Sequence, residues 1–389
     1  MPASAERDAL EAAERAAELL SGRAAEIEAA RRLPPDIADA LAGLGLMRLL
    51  TPAAYGGAEL HPAAFFRVIE RLARADASAA WCSFIACTSS LVAAWLDEAA
   101  AAPLFGRPAL KAAGVFAPRG TARRDGNGYR VSGRWAWGSG VSHADIVVVG
   151  CLVPGADGRP ETLASGAPRV LSVVVDAAHV RTLDNWTSFG LCGTGSGEFE
   201  IAETWVPATR TACLVDQAPV VGTPLYRFPV FGLLALAIGA VAAGISRLAL
   251  DEFVALAAGK VPQGGQRALA QRATVQEAVA RAEAQWRAAR AFVLEAVDAA
   301  WREAEHEGAI GVAARRDMRL AVTHLVHAAA AVVDRVHTLA GGDAIFAASP
   351  LQRCLRDVHV ATQHMMVGES TFELAGRLLL GQPTSVDML

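Results

Sequence analysis

Hydrophobic positions in the first 113 residues recur at helical spacing. Residues 5–30 are dense in Ala, Glu and Arg, which favour helices, and a short helix is predicted over 36–44, just after Pro34 and Pro35. Residues 61–73 and 77–96 continue the helical period, and the second run is apolar on nearly every side. We therefore predict an N-terminal α-helical domain over residues 1–113, with the 77–96 helix buried.

The pattern changes over residues 114–212. Short runs rich in Val at 146–153 and 170–175 have the length of strands, and glycines and prolines recur between them. Asp125-Gly126-Asn127-Gly128 is a strong hairpin-turn signal. This region is predicted to form a small β-barrel or sandwich.

Helical spacing returns over residues 213–389. Four long segments, 231–258, 267–305, 315–340 and 351–380, are joined by short breaks containing Gly or Pro. Such a series is typical of an up-down four-helix bundle. The predicted fold class is mainly α with a central β-barrel domain between two helical domains.

Composition narrows the function classes. The net charge of −4 predicts no basic face, which disfavours nucleic acid as a partner. The six cysteines form no CxxC pair, and the N-terminus lacks the basic and apolar pattern of a signal peptide. The uncharged run 228–246 is better explained by a helix buried in a bundle than by a membrane span. His324 and His327 lack a nearby carboxylate set, so no metal site is predicted. We expect a cytoplasmic protein without a membrane partner.

Three motifs carry a resemblance to a known family. They are the loop Trp137-Gly138-Ser139-Gly140 after residues 129–136, the glycine-rich stretch 190–196, and residues 349–364, which end in His364. With the order of helices, strands and helices, the chain resembles the acyl-CoA dehydrogenase fold over nearly its whole length. Within that family, the motifs resemble the two-component flavin-dependent monooxygenases.

The resemblance implies an activity and its participants. Reduced FAD or FMN would come from a separate NAD(P)H-flavin reductase and react with O2. The resulting flavin C4a-hydroperoxide would oxygenate a small aromatic, indole-like or natural-product substrate. No GxGxxG fingerprint opens a βαβ unit, which agrees with a separate reductase. A homotetramer is also implied.

Two catalytic residues are implied by the family. Ser139 would hydrogen-bond the flavin ring near N5, and its flanking glycines would let the backbone approach closely. Gly-Ser-Gly is also common in plain turns. His364 would act as a base or a hydrogen-bond donor, and a satisfied core histidine is the alternative. Read as one helix, Arg353, Asp357 and His364 share a stripe.

Further positions resemble the family's cofactor contacts, and each has a plainer explanation. Trp186 could equally be core, Cys192 stands where the family usually has Arg, and Gly341 and Gly342 could simply end a helix. Arg272 could lie on a solvated face. The predicted cofactor-binding residues are Trp137, Gly138, Ser139, Gly140, Trp186, Gly193, Thr194, Ser196, Arg272, Gly341 and Gly342.

The substrate pocket is expected along the 81–96 helix, where many relatives carry a His. Here the local residues are Thr88, Ser89 and Ser90, so a second histidine for phenol activation is missing. The predicted pocket residues are Trp81, Phe84, Ser90 and Phe116.

Two alternatives to an oxygenase stay open at this stage. An acyl-CoA dehydrogenase needs a carboxylate base, and residues 217–250 contain none, but Asp251, Glu252 and Glu369 lie just beyond the positions where one is expected. A non-catalytic homologue that keeps the fold as a binding module is the second alternative. The retained Ser139 and His364 argue against it.

Overall fold

A computed structural model describes residues 2–163, 166–386 and 389. The chain divides into two compact units. The first contains the residues up to His61, Trp81–Ser188 and Cys192–Val230. The second contains Pro62–Ala80, Phe189–Leu191 and the residues from Phe231 onward. The predicted three-domain division at 113/114 and 212/213 follows element type instead of packing, and it remains a prediction.

The first unit combines helices with the sheet. Most of α5 belongs to it, and its core is built from Ala, Leu and aromatic side chains such as Phe84, Phe105 and Trp135. Its helices are α1 (Pro2–Leu20), α2 (Ala24–Ala30), α3 (Pro35–Gly43), α5 (Ala77–Ser89) and α6 (Glu98–Phe105). Its strands are β1 (Ala112–Asp125), β2 (Gly128–Trp135), β3 (Ile146–Leu152), β4 (Val170–Asp176), β5 (Val180–Thr182), β6 (Phe199–Pro207) and β7 (Thr211–Ala212).

The strands form one open mixed sheet, not the predicted closed barrel. Its order is β5-β6-β2-β1-β3-β4-β7, with β1 and β3 parallel and the other pairs antiparallel. Closure would require the two edge strands to pair, but β5 has three residues and β7 only two, and no ladder joins them in the described part of the chain. The predicted turn at 125–128 is confirmed, because β1 pairs with β2 through Asp125 and Gly128.

The second unit is helical. Its elements are α4 (Pro62–Ala75), α7 (Val230–Gly259), α8 (Ala273–His306), α9 (Val312–Ala340), α10 (Pro350–Thr362) and α11 (Ser370–Leu379). The predicted fourth helix over 351–380 is thus two helices, separated by a 3-10 turn at Met365–Val367. His364 lies beyond the end of α10, so it does not continue a helical stripe with Arg353 and Asp357.

Two helical segments, Ala77–Trp95 and Val230–Gly259, are long and apolar enough to cross a membrane. Most of each segment is buried inside the protein, and the core helix of a soluble protein passes the same test. Length and composition are therefore weak evidence for a membrane span here.

The loop at residues 189–191 is fixed by α10. The buried Asp357 carboxylate accepts a hydrogen bond of 2.6 Å from the backbone N–H of Leu191. Arg356 donates to the carbonyl of Phe189, and the backbone of Gly190 lies directly against that of Arg356. Leu191 has a φ of +48°, a conformation that strains a branched side chain. The contacts from Asp357 and Arg356, here called the Asp357 clamp, hold it in that conformation.

We predict that Gly244→Ala destabilises the protein. A Cβ at Gly244 would lie 2.4 Å from the carbonyl oxygen of Glu70 and 2.6 Å from the Cβ of Ala73, so α7 and α4 would have to separate. Overpacking of this kind costs about 1–3 kcal/mol. Gly259→Ala at the end of α7 meets nothing within 4 Å and is the matched control. Urea denaturation should show a loss for Gly244→Ala only, and equal midpoints for the two variants would contradict this packing.

A second prediction concerns Asp357. Burial raises the pKa of its carboxyl to about 7. The folded protein then holds a proton that the unfolded chain releases near pH 4, so stability is lost as pH rises from about 4 to 7. Asp357→Asn keeps the acceptor for Leu191 but cannot ionise. The free energy of unfolding of Asp357→Asn, measured in urea relative to wild type, should increase by about 2 kcal/mol between pH 5 and 7 and then level off. A difference that stays constant with pH would refute the buried, protonated carboxyl.

Candidate active site

The Trp137–Gly140 loop in the first unit follows directly from β2. Gly138 packs so closely on Phe199 that a Cβ there would lie 2.6 Å from the ring, and its N–H donates to the carbonyl of Gly197. The N–H of Gly140 donates to the carbonyl of Thr194. The structure thereby brings the predicted loops 137–140 and 192–196 together.

Trp137 is strained and exposed. Its φ is +62°, and 70% of its surface is accessible to solvent. The left-handed conformation costs a non-glycine residue roughly 1–2 kcal/mol. Backbone strain of this kind clusters at active sites and ligand-binding sites.

Ser139 stands in the middle of a buried chain of hydrogen bonds. It is only 4% exposed, and its Oγ lies 3.1 Å from Nε1 of Trp81, which donates to it. The Oγ of Ser196 is 2.6 Å from that of Ser139 and also 2.6 Å from Oγ1 of Thr194. Four predicted site residues, from α5 and from both loops, therefore form one connected network.

The network can run in two directions. The indole N–H of Trp81 is a donor only, so Ser139 must accept from it. If Thr194 donates to Ser196 and Ser196 to Ser139, both lone pairs of Ser139 are occupied and its own proton can point to a ligand. In the reverse direction, the hydroxyl of Ser139 donates to Ser196 and has no proton left for a ligand. The first orientation gives Ser139 the donor role predicted for it.

The other predicted residues of the first unit have more ordinary contacts. Trp186 is half-buried, and its Nε1 donates to the carbonyl of Cys192, so it supports the same loop that contains the buried Gly193. Phe84 is fully buried with its ring edge against Trp81, and Phe116 is half-buried on β1. Ser90 is fully buried, and its hydroxyl donates to the carbonyl of Ala86 in its own helical turn. The structure does not bring Ser90 into the Ser139 network.

Two residues beside these loops were missed by the sequence analysis. Arg31, itself at a φ of +53°, donates to the carbonyls of Trp186 and Ser188 and so holds the approach to the second loop. His143 lies against Gly140, and burial lowers its pKa to about 4. Neither residue belongs to a recognisable motif. Arg31 and Trp186 are also far apart in the sequence, so their contact cannot be predicted from it.

His364 belongs to the second unit. It begins the 3-10 turn Met365–Val367, and its Nδ1 accepts a hydrogen bond of 3.2 Å from the N–H of Met366. Burial, and then the positive charge of Arg319, lower its pKa to about 4. The imidazole is therefore neutral at physiological pH.

A cavity of about 830 Å³ in the second unit is lined by Gly341 and Gly342, among others. Lys260 also lines it and binds the carbonyl of Ala340 and the carboxylate of Asp343, 2.5 and 2.9 Å away. The ammonium group is therefore already paired, and the N–H of Gly341 donates to the carbonyl of Thr338 at the end of α9. Arg272 is not among the described residues that line this cavity, and its guanidinium lies against Gly265.

Two of the three carboxylates that left a dehydrogenase possible, Asp251 and Glu369, have contacts elsewhere. Asp251 pairs with Arg74 and Arg247 at 2.6 and 2.8 Å. Glu369 is an exposed residue at the start of α11, and its carboxylate lies 3.7 Å from His327. No cluster of three metal-binding side chains occurs among the described residues.

Comparison with known proteins places the chain in a family. Residues 5–103 match the acyl-CoA dehydrogenase N-terminal domain, and residues 236–369 match the C-terminal domain. The chain is 33% identical to an indole-3-acetate monooxygenase of Pseudomonas putida over 92% of this chain and 90% of that protein. It is 28% identical to HsaA of Rhodococcus jostii, a flavin-dependent monooxygenase oxygenase subunit, over 89% and 91% of the two chains.

A solved structure gives the same result. XiaF from a Streptomyces species, in complex with FADH2 and glycerol, superimposes with a TM-score of 0.89 at 26% identity and covers 98% of this chain and 97% of that one. The fold, the likeness in sequence and the nature of these relatives agree, and they confirm the resemblance. The chain belongs to the flavin-dependent monooxygenase branch of the acyl-CoA dehydrogenase family and is an oxidoreductase.

Proposed function

We propose that this protein is the oxygenase component of a two-component monooxygenase. It would take reduced FAD from a separate NAD(P)H-flavin reductase and insert one atom of O2 into a small aromatic or indole-like substrate. The bound reduced flavin would supply two electrons and activate the oxygen. Water would carry away the second oxygen atom, so the electrons and atoms balance.

The observation that carries the proposal is the loop around Trp137. A strained, exposed indole stands two residues from a hydroxyl that a buried network can orient as a donor. A flat ring beside Trp137 would bury the indole, and Ser139 would hydrogen-bond its edge. The glycines on either side of Ser139 pack against Phe199 and His143, so they set the shape of the loop itself.

FAD is favoured over FMN by the relatives, since XiaF was solved with FADH2 and a Rhizobium resorcinol hydroxylase is named FADH2-dependent.

The substrate class and setting follow from the relatives and the sequence. Indole-3-acetate monooxygenases are among the relatives, and no second histidine is available for phenol activation at positions 88–90. Indole-like substrates are therefore favoured over phenols. A homotetramer is proposed from the family resemblance, and a cytoplasmic location from the six free, buried cysteines.

The first test is anaerobic mixing with photoreduced FAD followed by oxygen in a stopped-flow instrument. The expected result is a delay before the spectrum of oxidised flavin returns, and one ¹⁸O atom from ¹⁸O2 in the product with indole-3-acetate or indole. Ser139→Ala should shorten the delay by roughly 10²-fold, because it removes one hydrogen-bond donor. The variant should release hydrogen peroxide in place of the oxygenated product. Flavin reduction by an acyl thioester would establish the dehydrogenase alternative.

The second test separates stability from binding at Trp137. Trp137→Gly relieves the left-handed strain, so its free energy of unfolding in urea should equal that of wild type or exceed it by up to about 1 kcal/mol. It also removes the stacking surface, so the Kd for reduced FAD under anaerobic conditions should rise about tenfold. Trp137→Phe keeps a flat ring and serves as the control. An unchanged Kd in Trp137→Gly would remove Trp137 from the flavin site.

A further inference from the structure

Arg319 is a cation in the interior of the second unit. It is only 3% exposed and is separated from His364 by 45 positions in the chain. Its Nη2 donates to the carbonyl of Met366 at 2.8 Å and approaches the hydroxyl of Thr371 at 3.4 Å. A charged group is expensive to bury, so the position of this one calls for a role beyond packing.

The Met366 carbonyl that Arg319 holds belongs to the turn that His364 begins. In this turn the N–H of Val367 donates to the carbonyl of His364, and the N–H of Met366 donates to Nδ1 of its ring. His327, on the same helix as Arg319, lies with Nε2 3.1 Å from the next carbonyl, that of Val367. Helix α9 therefore contacts the carbonyls of both Met366 and Val367.

A fixed turn sets the tautomer of the imidazole. Since Nδ1 accepts an N–H, it carries no proton, and a neutral ring must then have its proton on Nε2. The other tautomer would point an N–H of the ring at the N–H of Met366. A protonated ring would lose the same hydrogen bond and place a second cation beside Arg319.

We infer that Arg319 is a positioning residue that holds the His364–Val367 turn and thereby fixes His364 as an Nε2–H hydrogen-bond donor. This inference rests on the proposed function for its chemical meaning. A general base would need a lone pair on Nε2, which this tautomer does not offer. A donor at Nε2 instead stabilises negative charge on an oxygen without taking up or releasing a proton.

The tautomer can be measured without flavin. Magic-angle-spinning NMR of [¹⁵N]histidine-labelled, flavin-free protein at pH 7.5 distinguishes the two nitrogens, and His364→Gln identifies the signals that belong to His364. The expected result is one neutral form with the proton on Nε2. A dominant Nδ1–H form would overturn the inference, whatever becomes of the proposed function.

The role of Arg319 is tested in the same experiment. Arg319→Met should give a mixture of tautomers at His364, and Arg319→Lys should restore the single form, because an ammonium group can still donate to Met366. Arg316→Met is the matched control on α9, since Arg316 pairs with Asp317 instead. A single Nε2–H form in Arg319→Met would overturn the positioning role.

The donor role is tested by kinetics. Gln at position 364 offers an N–H close to the place of Nε2 but cannot act as a base. If His364 is a donor, His364→Gln should keep the stopped-flow delay within about tenfold of wild type, whereas His364→Ala should shorten it by roughly 10²-fold or more. If both variants shorten the delay equally, His364 acts as a base and the donor role is wrong. Failure of wild-type protein to bind reduced FAD would overturn both the proposed function and the donor role.

Discussion

The hydrogen bond between Trp81 and Ser139 connects the parts of the first unit on which the candidate site depends. Trp81 comes from a buried helix, and Ser139 comes from a loop that leaves the sheet. Because the indole can only donate, Ser139 accepts from it in both directions that the hydroxyl network can run. Ser196 and Thr194 extend the network into the second loop. The network thus connects α5 with two loops that are distant in sequence.

The backbone of these loops is also fixed by a few close contacts. Four non-glycine residues with a left-handed backbone are found in the described part of the chain, and two of them, Trp137 and Leu191, lie in or next to the predicted cofactor loops. Each is held by close contacts, through the packing of Gly138 on Phe199 and through the Asp357 clamp. Strain is tolerated where the surroundings determine the backbone more strongly than the residue's own preference.

The sequence predicted the elements well and the contacts poorly. Helical periodicity located α4, α5, α7, α8 and α9 because each is long and regularly patterned. The sheet was misjudged as a barrel, since closure depends on the length of edge strands whose two or three residues have no pattern to detect. The break after α10 was also missed, because residues 363–369 contain no proline and only one glycine.

The candidate site shows the same limit. Motifs identified Ser139, Ser196 and Thr194, and the structure joins them, but no motif pointed to Arg31, Lys260 or Arg319. These three residues act through backbone carbonyls, which every residue possesses. Because any residue type can supply a carbonyl acceptor, the sequence does not mark these contacts, and they can be identified only when the fold is known.

The buried ionisable groups and the candidate catalytic groups have different tasks. Asp357 and Arg319 are buried and ionisable, and both bind backbone groups of loops. The groups assigned to the flavin, Ser139 and His364, are a hydroxyl and a neutral imidazole. A dehydrogenase of this family needs a carboxylate that takes a proton, whereas an oxygenase must protect a reactive oxygen from stray proton transfer. Neutral donors suit the second task, because they can stabilise charge without changing their own protonation.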